Sequence, residues 1–248
     1  MTYNDIHHRR SIGLPGHAEK PIIVQTMKIP DIQEAVFHSG MQPDGQSIKN
    51  RIFSQPMLRV PFLSDDEMVQ VNGFRALKKQ REWICGRFAV KTLIKDVLEP
   101  EMSLADIQIG YKEKGAPYLP QFPRVPISLS HSSDYTAAAV SRDPVIGLGI
   151  DVEKIGALPE ASFMKTAFTP EETACMPAEA RAVFTNWTVK EAFLKYVGLG
   201  FNESLHSVAV IEGHIYYHGR KQPVHIWSSY LDSQYAVGLV YGNLFKTN

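Results

Sequence analysis

Residues 183–200 read VFTNWTVKEAFLKYVGLG, in which charged residues interrupt an otherwise apolar run. The apolar residues recur at three- and four-residue spacing, which predicts a helix over residues 180–197. Glu191 and Lys195 stand four positions apart and therefore share one face of this helix. Alone, they would be an ordinary surface pair worth ~0.3–0.5 kcal/mol. Because the helix is too apolar to leave one side purely solvated, we interpret the pair as part of a site.

A second acidic pattern, GIDVEKI, occupies residues 149–155. Alternate side chains of a strand share a face, so Asp151 and Glu153 should point together while Val152 points into the core. Two neighbouring carboxylates repel unless a cation lies between them, and ligands rich in oxygen are typical of Mg²⁺ or Mn²⁺. Together with Glu191 they could complete a metal site with three carboxylates, leaving Lys195 to hold a phosphate. Two solvated acids on an edge strand are the alternative.

A third polar pattern, ISLSHSSDY, covers residues 127–135. Ser130, His131 and Ser132 are expected where a strand or turn begins, and they offer hydroxyl, imidazole and backbone N–H groups together. Such donors suit phosphate oxygens. A structural histidine that caps a turn is the alternative interpretation.

Composition limits the class of protein. The chain has 248 residues, 44% of them hydrophobic and 21% charged, with a formal net charge of zero. This balance gives no indication of a nucleic-acid or membrane partner. The polar N-terminal segment does not resemble a signal peptide, and no run of apolar residues is long enough for a membrane span. We therefore expect a cytoplasmic protein in which Cys85 and Cys175 are buried free thiols.

The order of elements predicts an α+β fold with two lobes meeting near residue 145. Ser64 should cap a helical stretch over residues 65–97 with a break at Gly73, and Thr169 should begin a helix within residues 160–177. Two runs rich in Val, Ile and Ala, separated by a turn at residues 143–144, fit a hairpin of strands. Further strands follow residue 207.

The ordered patterns SHSSDY, GIDVE and WTVKEAFLK resemble the 4′-phosphopantetheinyl transferases of the Sfp type. That family carries a Ser-His motif, a G-[IV]-D-[IV]-E motif and a W-x-x-K-E-[AS]-x-x-K motif in the same order. The resemblance covers roughly residues 60–240. It implies two similar α/β lobes related by a pseudo-twofold, with the site in the cleft between them. The lobes would span residues 57–144 and 145–248, with residues 1–56 as an N-terminal extension.

The resemblance also implies a reaction. In such enzymes coenzyme A lies in the cleft, and Mg²⁺ bridges its pyrophosphate and the acids that match Asp151, Glu153 and Glu191. A serine hydroxyl of an apo acyl or peptidyl carrier protein attacks the β-phosphorus, and 3′,5′-ADP leaves. Glu191, acting directly or through a metal-bound water, is the first candidate for the base that takes the serine proton, and Glu153 is the second. Family analogy implies a monomer.

The same resemblance assigns contacts to coenzyme A. Ser130 and Lys195 would bind the pyrophosphate, His131 the 3′-phosphate, and Lys190 a phosphate or the carrier protein. The residues that match a family segment in contact with the nucleotide are Lys114, Gly115 and Pro117. Ala116 stands where the family has lysine; Lys114 or Lys112 could replace that charge, or coenzyme A would bind with one contact fewer. Arg87 matches a helix position that could reach the 3′-phosphate, although it and its basic neighbours could equally form a solvated face.

Two other functions use the same residues. A metal-dependent nuclease or phosphatase could employ the three carboxylates, and an inactive relative could bind coenzyme A or a carrier protein as a scaffold. The stretch GLGIDV begins like a dinucleotide-binding fingerprint, but it lacks the third glycine and the helix that should follow. The sequence contains no phosphate-binding P-loop motif.

Overall fold

Two of the helices begin at caps that the sequence indicates. In the computed structural model, which describes residues 7–13, 21–37 and 60–243, Ser64 and Glu67 form a reciprocal capping box, and so do Thr169 and Glu172. The described α-helices are α1 (Ile29–Phe37), α2 (Asp65–Asn72), α3 (Leu77–Val97), α4 (Ala161–Ala167), α5 (Pro170–Cys175) and α6 (Ala180–Tyr196). The predicted break at Gly73 and the helix near residues 180–197 are both confirmed.

The strands form several antiparallel sheets. They are β1 (His7–Ile12), β2 (Ile22–Lys28), β3 (Gly110–Tyr111), β4 (Pro117–Tyr118), β5 (Ile127–Ser132), β6 (Tyr135–Ser141), β7 (Ile146–Lys154), β8 (Val208–Ile211), β9 (His214–Tyr217), β10 (Arg220–Lys221), β11 (His225–Leu231) and β12 (Tyr235–Asn243). Strand order is β1-β2-β6-β5 in one sheet and β11-β12-β7 in a second, with smaller sheets β10-β9-β8 and β3-β4. The chain is thus a mixture of helices and sheets, as the sequence predicts.

The predicted hairpin around residues 143–144 is wrong. The hairpin lies earlier, where β5 turns into β6 through Ser133, whose φ of 51° is left-handed. β7 pairs instead with β12, which lies more than 80 residues further along the chain. Sequence spacing favours neighbouring strands as partners, but here the chain leaves the first sheet after β6 and starts a second one.

A shared core joins the two larger sheets. Apolar side chains of β2 and β6 pack against those of β7 and β12, and Tyr135 meets Tyr235 with ring centroids 4.7 Å apart. The helix α3 covers β5 and β6, while α6 covers β7 and β12. Burial of these apolar faces, at about 25 cal/mol per Å², is what holds each helix on its sheet.

β1 and β2 belong to the segment that precedes residue 57. β2 pairs with β6 along its whole length, and β1 pairs with β2, so this part of the chain supplies half of the four-stranded sheet. Of the two free cysteines, Cys85 is buried as expected, whereas Cys175 is exposed because it ends the short helix α5 at the surface. Within the described ranges, no helix has both the length and the apolar character to cross a lipid bilayer.

Candidate active site

Three carboxylates from β7 and α6 meet at one point. Asp151, Glu153 and Glu191 each offer an oxygen, and these oxygens lie within 4.8 Å of one another. The approach depends on Gly149, because a Cβ there would lie 2.0 Å from the carbonyl oxygen of Ala192. Without a side chain at this position, α6 lies directly on the β7 backbone and Glu191 comes within reach of Asp151.

Asp151 is the most deeply buried of the three acids, with 1% of its surface exposed. Its Oδ1 accepts hydrogen bonds from Ser130 Oγ at 2.6 Å and from Lys195 Nζ at 2.8 Å. Its Oδ2 is buried and has no hydrogen-bond donor among the described residues. The alternative of two solvated acids is therefore wrong for Asp151, and a buried oxygen without a donor suits a cation.

Glu153 is held by neighbouring donors. Ser132 Oγ donates to Glu153 Oε2 at 2.9 Å. Burial and, next, the charge of Asp151 raise the pKa of the Glu153 carboxyl, while hydrogen bonds from Ser132 and the Trp187 side chain oppose that rise. This carboxylate is thus oriented by two side chains that the other acids do not use.

Glu191 differs from its two neighbours because no hydrogen-bond donor in the described part of the chain reaches its carboxylate. Burial, and then the nearby charge of Asp151, raise the pKa of Glu191 to about 8. In the absence of a cation this carboxyl therefore tends to hold a proton. A carboxylate with these properties can exchange a proton near neutral pH.

His131 lies near the end of β5, directly before the turn at Ser133, so the expected turn is confirmed and the expected start of a strand is wrong. Its Nδ1 lies 3.7 Å from Glu82 Oε2 on α3, and 40% of its side chain is exposed because the ring faces a cavity. The surrounding protein atoms lower its pKa, and the charge of Glu82 opposes this effect. The ring can thus meet a ligand in the cavity while a carboxylate supports it from behind.

A cavity of about 380 Å³ extends from the acids toward the β3–β4 hairpin. All but two of the predicted site residues line it. Those that do are Ser130, His131, Asp151, Glu153, Glu191, Lys195, Lys114, Gly115 and Pro117. Ala116 also lines the cavity and lies next to Gly198. A Cβ added to Gly198 would be 3.6 Å from the Cβ of Ala116. Lys112 lines a neighbouring cavity of about 450 Å³ that shares Ala116 and Lys195 with the first.

Two predicted residues do not line this cavity. Lys190 is fully buried, and its Nζ lies 2.6 Å from Glu172 Oε2 beneath the ring of Phe168. One position in a helix turns the side chain by about 100°, so the residue before Glu191 faces the interior. Arg87 is 1% exposed and makes an ion pair with Glu67 on α2.

Some cavity residues were not predicted as site residues. Tyr111, Ser128, Gly198 and Gly200 all line the cavity. One signal was available, because serine occurs at every second position of ISLSHS and alternate residues of a strand share a face. Tyr111 and the two glycines come from loops and a two-residue strand, which have no periodicity to read.

Comparison with known proteins agrees with the motifs. A family model described as the 4′-phosphopantetheinyl transferase superfamily matches residues 147–240. A 4′-phosphopantetheinyl transferase of Bacillus subtilis is 30% identical over 168 residues, which cover 61% of this chain and 72% of that protein. The 4′-phosphopantetheinyl transferase ffp of Bacillus subtilis is 27% identical over 164 residues, covering 60% and 71%. The human L-aminoadipate-semialdehyde dehydrogenase-phosphopantetheinyl transferase is 25% identical over 166 residues, covering 60% and 52%.

Proposed function

The chain belongs to the 4′-phosphopantetheinyl transferase superfamily, and on that premise we propose that it transfers 4′-phosphopantetheine from coenzyme A to a serine of an apo acyl or peptidyl carrier protein. The observation that carries the proposal is the meeting of Asp151, Glu153 and Glu191 in a cavity that also presents Lys195, Ser130 and His131. Acids that can share a cation and donors that can bind phosphate oxygens are what a diphosphate substrate requires.

The three carboxylates fit Mg²⁺. All potential ligands are oxygens, and the buried Oδ2 of Asp151 lacks a donor in the described structure. Bound there, Mg²⁺ would offset the negative charge of the diphosphate oxygens.

Lys195 and Ser130 would bind the diphosphate beside the acids. The Lys195 ammonium has three donors, of which Asp151 Oδ1 takes one at 2.8 Å and the carbonyl of Leu129 accepts another at 3.4 Å. The remaining donor would contact a phosphate oxygen. His131 would meet the 3′-phosphate, and Lys114, Gly115 and Pro117 would contact the nucleotide from the hairpin.

In the transfer, the serine oxygen of the carrier forms a bond to the β-phosphorus, and the bond from that phosphorus to the leaving 3′,5′-ADP breaks. Glu191 would accept the serine proton, because it is buried beside the diphosphate position and has no donor of its own. Glu153 is the second candidate. Holding the reacting groups in line supplies much of the remaining rate increase.

The fold supports two similar lobes with the site between them. In each lobe a long helix crosses antiparallel strands, α3 over β5 and β6 and α6 over β7 and β12. β5 and β7 lie side by side at the junction, with the acids on β7 and the Ser-His residues on β5. We propose that these halves are related by a pseudo-twofold, that the boundary lies near residue 145, and that β1 and β2 belong to the first half.

The setting of the reaction follows from the same proposal. By family analogy we propose that the protein is a monomer. Two free cysteines, one of them exposed, suit a reducing compartment, and we propose the cytoplasm. Coenzyme A and the carrier are the expected partners, with neither nucleic acid nor membrane involved.

The test is direct transfer. The protein is incubated with coenzyme A, MgCl₂ and a panel of purified apo carrier proteins, and each carrier is weighed by intact mass spectrometry. We expect a phosphopantetheine adduct on at least one carrier, lost when the carrier serine is replaced by alanine or when EDTA is added. Coenzyme A binding without a mass shift on any carrier would favour the inactive relative, and cleavage of simple phosphoesters would favour the phosphatase.

A further inference from the structure

Tyr111 lines the cavity from the β3–β4 hairpin. It lies on the short strand β3, and 44% of its surface is exposed. Among the large exposed apolar side chains of the described residues, Val69, Val145, Leu158 and Tyr230 do not line this cavity, whereas Tyr111 does. An aromatic ring left open inside a ligand cavity offers a flat surface for stacking.

The ring is held from behind by Arg87. Arg87 Nη2 donates to the Tyr111 hydroxyl at 2.8 Å, and the guanidinium carbon lies 5.2 Å from the centre of the Tyr111 ring and 4.4 Å from that of Trp83. The guanidinium is itself fixed, since Arg87 Nε lies 2.9 Å from Glu67 Oε1. The second oxygen of Glu67 is 2.5 Å from the buried Lys91 Nζ. A buried charge pair of this kind has little freedom to move, so it orients Tyr111.

The hydroxyl of Tyr111 keeps a donor for a ligand. Its oxygen accepts from Arg87, and no acceptor among the described residues receives its hydrogen. The ring and this O–H therefore point to a planar group that carries hydrogen-bond acceptors at its edge. The other residues of this hairpin that line the cavity agree, because Gly115, Ala116 and Pro117 are uncharged and only Lys114 carries a charge.

The cavity thus has a phosphate-binding end and a flat, mostly uncharged end. Resting on the proposed function, we infer that Tyr111 stacks on the purine base of coenzyme A and sets the preference for a nucleotide donor, and that Arg87 is the positioning residue that holds Tyr111. The flexible pantetheine arm would then leave the cavity elsewhere. Arg87 contacts Tyr111 but not the substrate, so its effect on the substrate is indirect.

The test separates the base from the phosphates. Dissociation constants for 3′,5′-ADP, coenzyme A and inorganic pyrophosphate are measured by calorimetry with Mg²⁺ present, for the wild type and for Tyr111→Ala, Tyr111→Phe and Arg87→Lys. The matched control is Tyr230→Ala. Tyr230 is 38% exposed, lies 3.8 Å from the Arg181 guanidinium and shares a hydrogen bond with Thr185, but it lies outside this cavity.

We expect Tyr111→Ala to weaken the binding of 3′,5′-ADP and of coenzyme A on the order of tenfold. Its affinity for pyrophosphate should stay within about twofold of the wild type. Tyr111→Phe keeps the ring and should lose less affinity for both nucleotides than Tyr111→Ala. The affinity of Arg87→Lys should lie between those of Tyr111→Ala and the wild type, and Tyr230→Ala should match the wild type. In transfer assays Tyr111→Ala should raise the KM for coenzyme A and leave kcat at saturation unchanged.

Three results would overturn the inference. Unchanged 3′,5′-ADP binding in Tyr111→Ala would show that the ring does not contact the base. Weaker binding of coenzyme A by Tyr111→Ala, with unchanged binding of 3′,5′-ADP, would place the pantetheine arm on the ring instead. Failure of the wild type to bind coenzyme A at all would overturn the proposed function together with this inference, and so the two failures are distinguishable.

Discussion

Ser132 donates a hydrogen bond of 2.9 Å to Glu153 across the junction of two sheets that share no ladder in the described structure. The same hydroxyl accepts from the backbone N–H of Lys154 at 3.2 Å. Two residues earlier on each strand, Ser130 reaches Asp151, and Ser128 accepts from the N–H of Ile150 at 3.0 Å. The contacts rise together along β5 and β7, so the strands run parallel and alternate serines hold them in register.

This register gives the serines different duties. Ser130 and Ser132 orient carboxylates, whereas Ser128 binds only backbone on β7. Removing a residue that orients a metal ligand typically lowers the metal affinity by roughly 10- to 100-fold. Ser128 therefore offers an internal control for the loss of one interstrand hydrogen bond.

Ser132→Ala should weaken Mg²⁺ binding by on the order of tenfold, because Glu153 loses the donor that holds it. Ser132→Thr keeps the hydroxyl and should restore most of the affinity, and Ser128→Ala should leave it within about twofold. Metal affinity is measured without turnover, by titrating Mn²⁺ as a paramagnetic substitute. Equal losses in Ser128→Ala and Ser132→Ala would mean that the junction as a whole, and not the orientation of Glu153, sets the affinity.

Glu191→Gln should reduce transfer by about 10²–10⁴-fold, the usual contribution of a general base. The change keeps the shape of the side chain and removes the site for the serine proton. Binding of 3′,5′-ADP without metal should change by less than about threefold, since the donors Ser130 and Lys195 remain in the cavity. Single-turnover transfer at saturating coenzyme A is the measurement. Full transfer by the glutamine variant would assign the proton to Glu153 or to solvent.

Much of this site follows from local sequence because it is built from short periodic elements. Asp151 and Glu153 could be placed on one face of a strand, Glu191 and Lys195 on one face of a helix, and the caps at Ser64 and Thr169 are read from adjacent residues. What local sequence does not contain is the pairing of β7 with β12 and the position of α6 on that sheet. Both depend on contacts between distant residues.

Gly149 shows the limit well. In the sequence it belongs to a stretch that begins like a dinucleotide fingerprint and then fails. In the fold, its missing side chain is the reason that α6 can touch β7, where any Cβ would clash with the Ala192 carbonyl. Lys190 and Arg87 show the converse, because a charged residue in a motif suggests a ligand contact until its buried ion pair with Glu172 or Glu67 is seen.

The metal-free protein should lose stability as pH rises, through Glu191. The folded pKa of Glu191, about 8, lies above its ordinary value of 4.5. A raised carboxyl pKa stabilises the fold fully below the unfolded value, and this contribution is lost as pH rises through 8. In EDTA at pH 8, Glu191→Gln should therefore have a Tm on the order of 5 °C above that of the wild type, and the two should converge near pH 5.

Added Mg²⁺ should reverse this difference. The cation favours the ionised carboxyl, so at pH 7 its binding should release up to about one proton, seen by calorimetry in two buffers of different ionisation enthalpy. A constant difference in Tm between the wild type and Glu191→Gln from pH 5 to 8, together with no proton release on Mg²⁺ binding, would contradict the raised pKa of Glu191.

Lys190→Met should damage stability without damaging nucleotide binding. The change leaves Glu172 buried, 1% exposed, without the ammonium 2.6 Å away, and breaking a buried pair in this way costs about 3–5 kcal/mol. Tm should fall by roughly 10 °C, and a second change, Glu172→Gln, should recover part of the loss because the unpaired charge is gone.

The measurement that decides the role of Lys190 is the affinity for 3′,5′-ADP, determined well below the Tm of the variant. Since Lys190 Nζ bonds to Glu172 and does not line the cavity, we expect the affinity of Lys190→Met within about twofold of the wild type. Lys195→Ala, on the cavity side of the same helix, is the matched comparison. It should weaken binding by roughly tenfold or more, as a lost charge-assisted contact worth ~1.5–3 kcal/mol requires. Equal weakening in both variants would place Lys190 on a phosphate after all, in conflict with its ion pair.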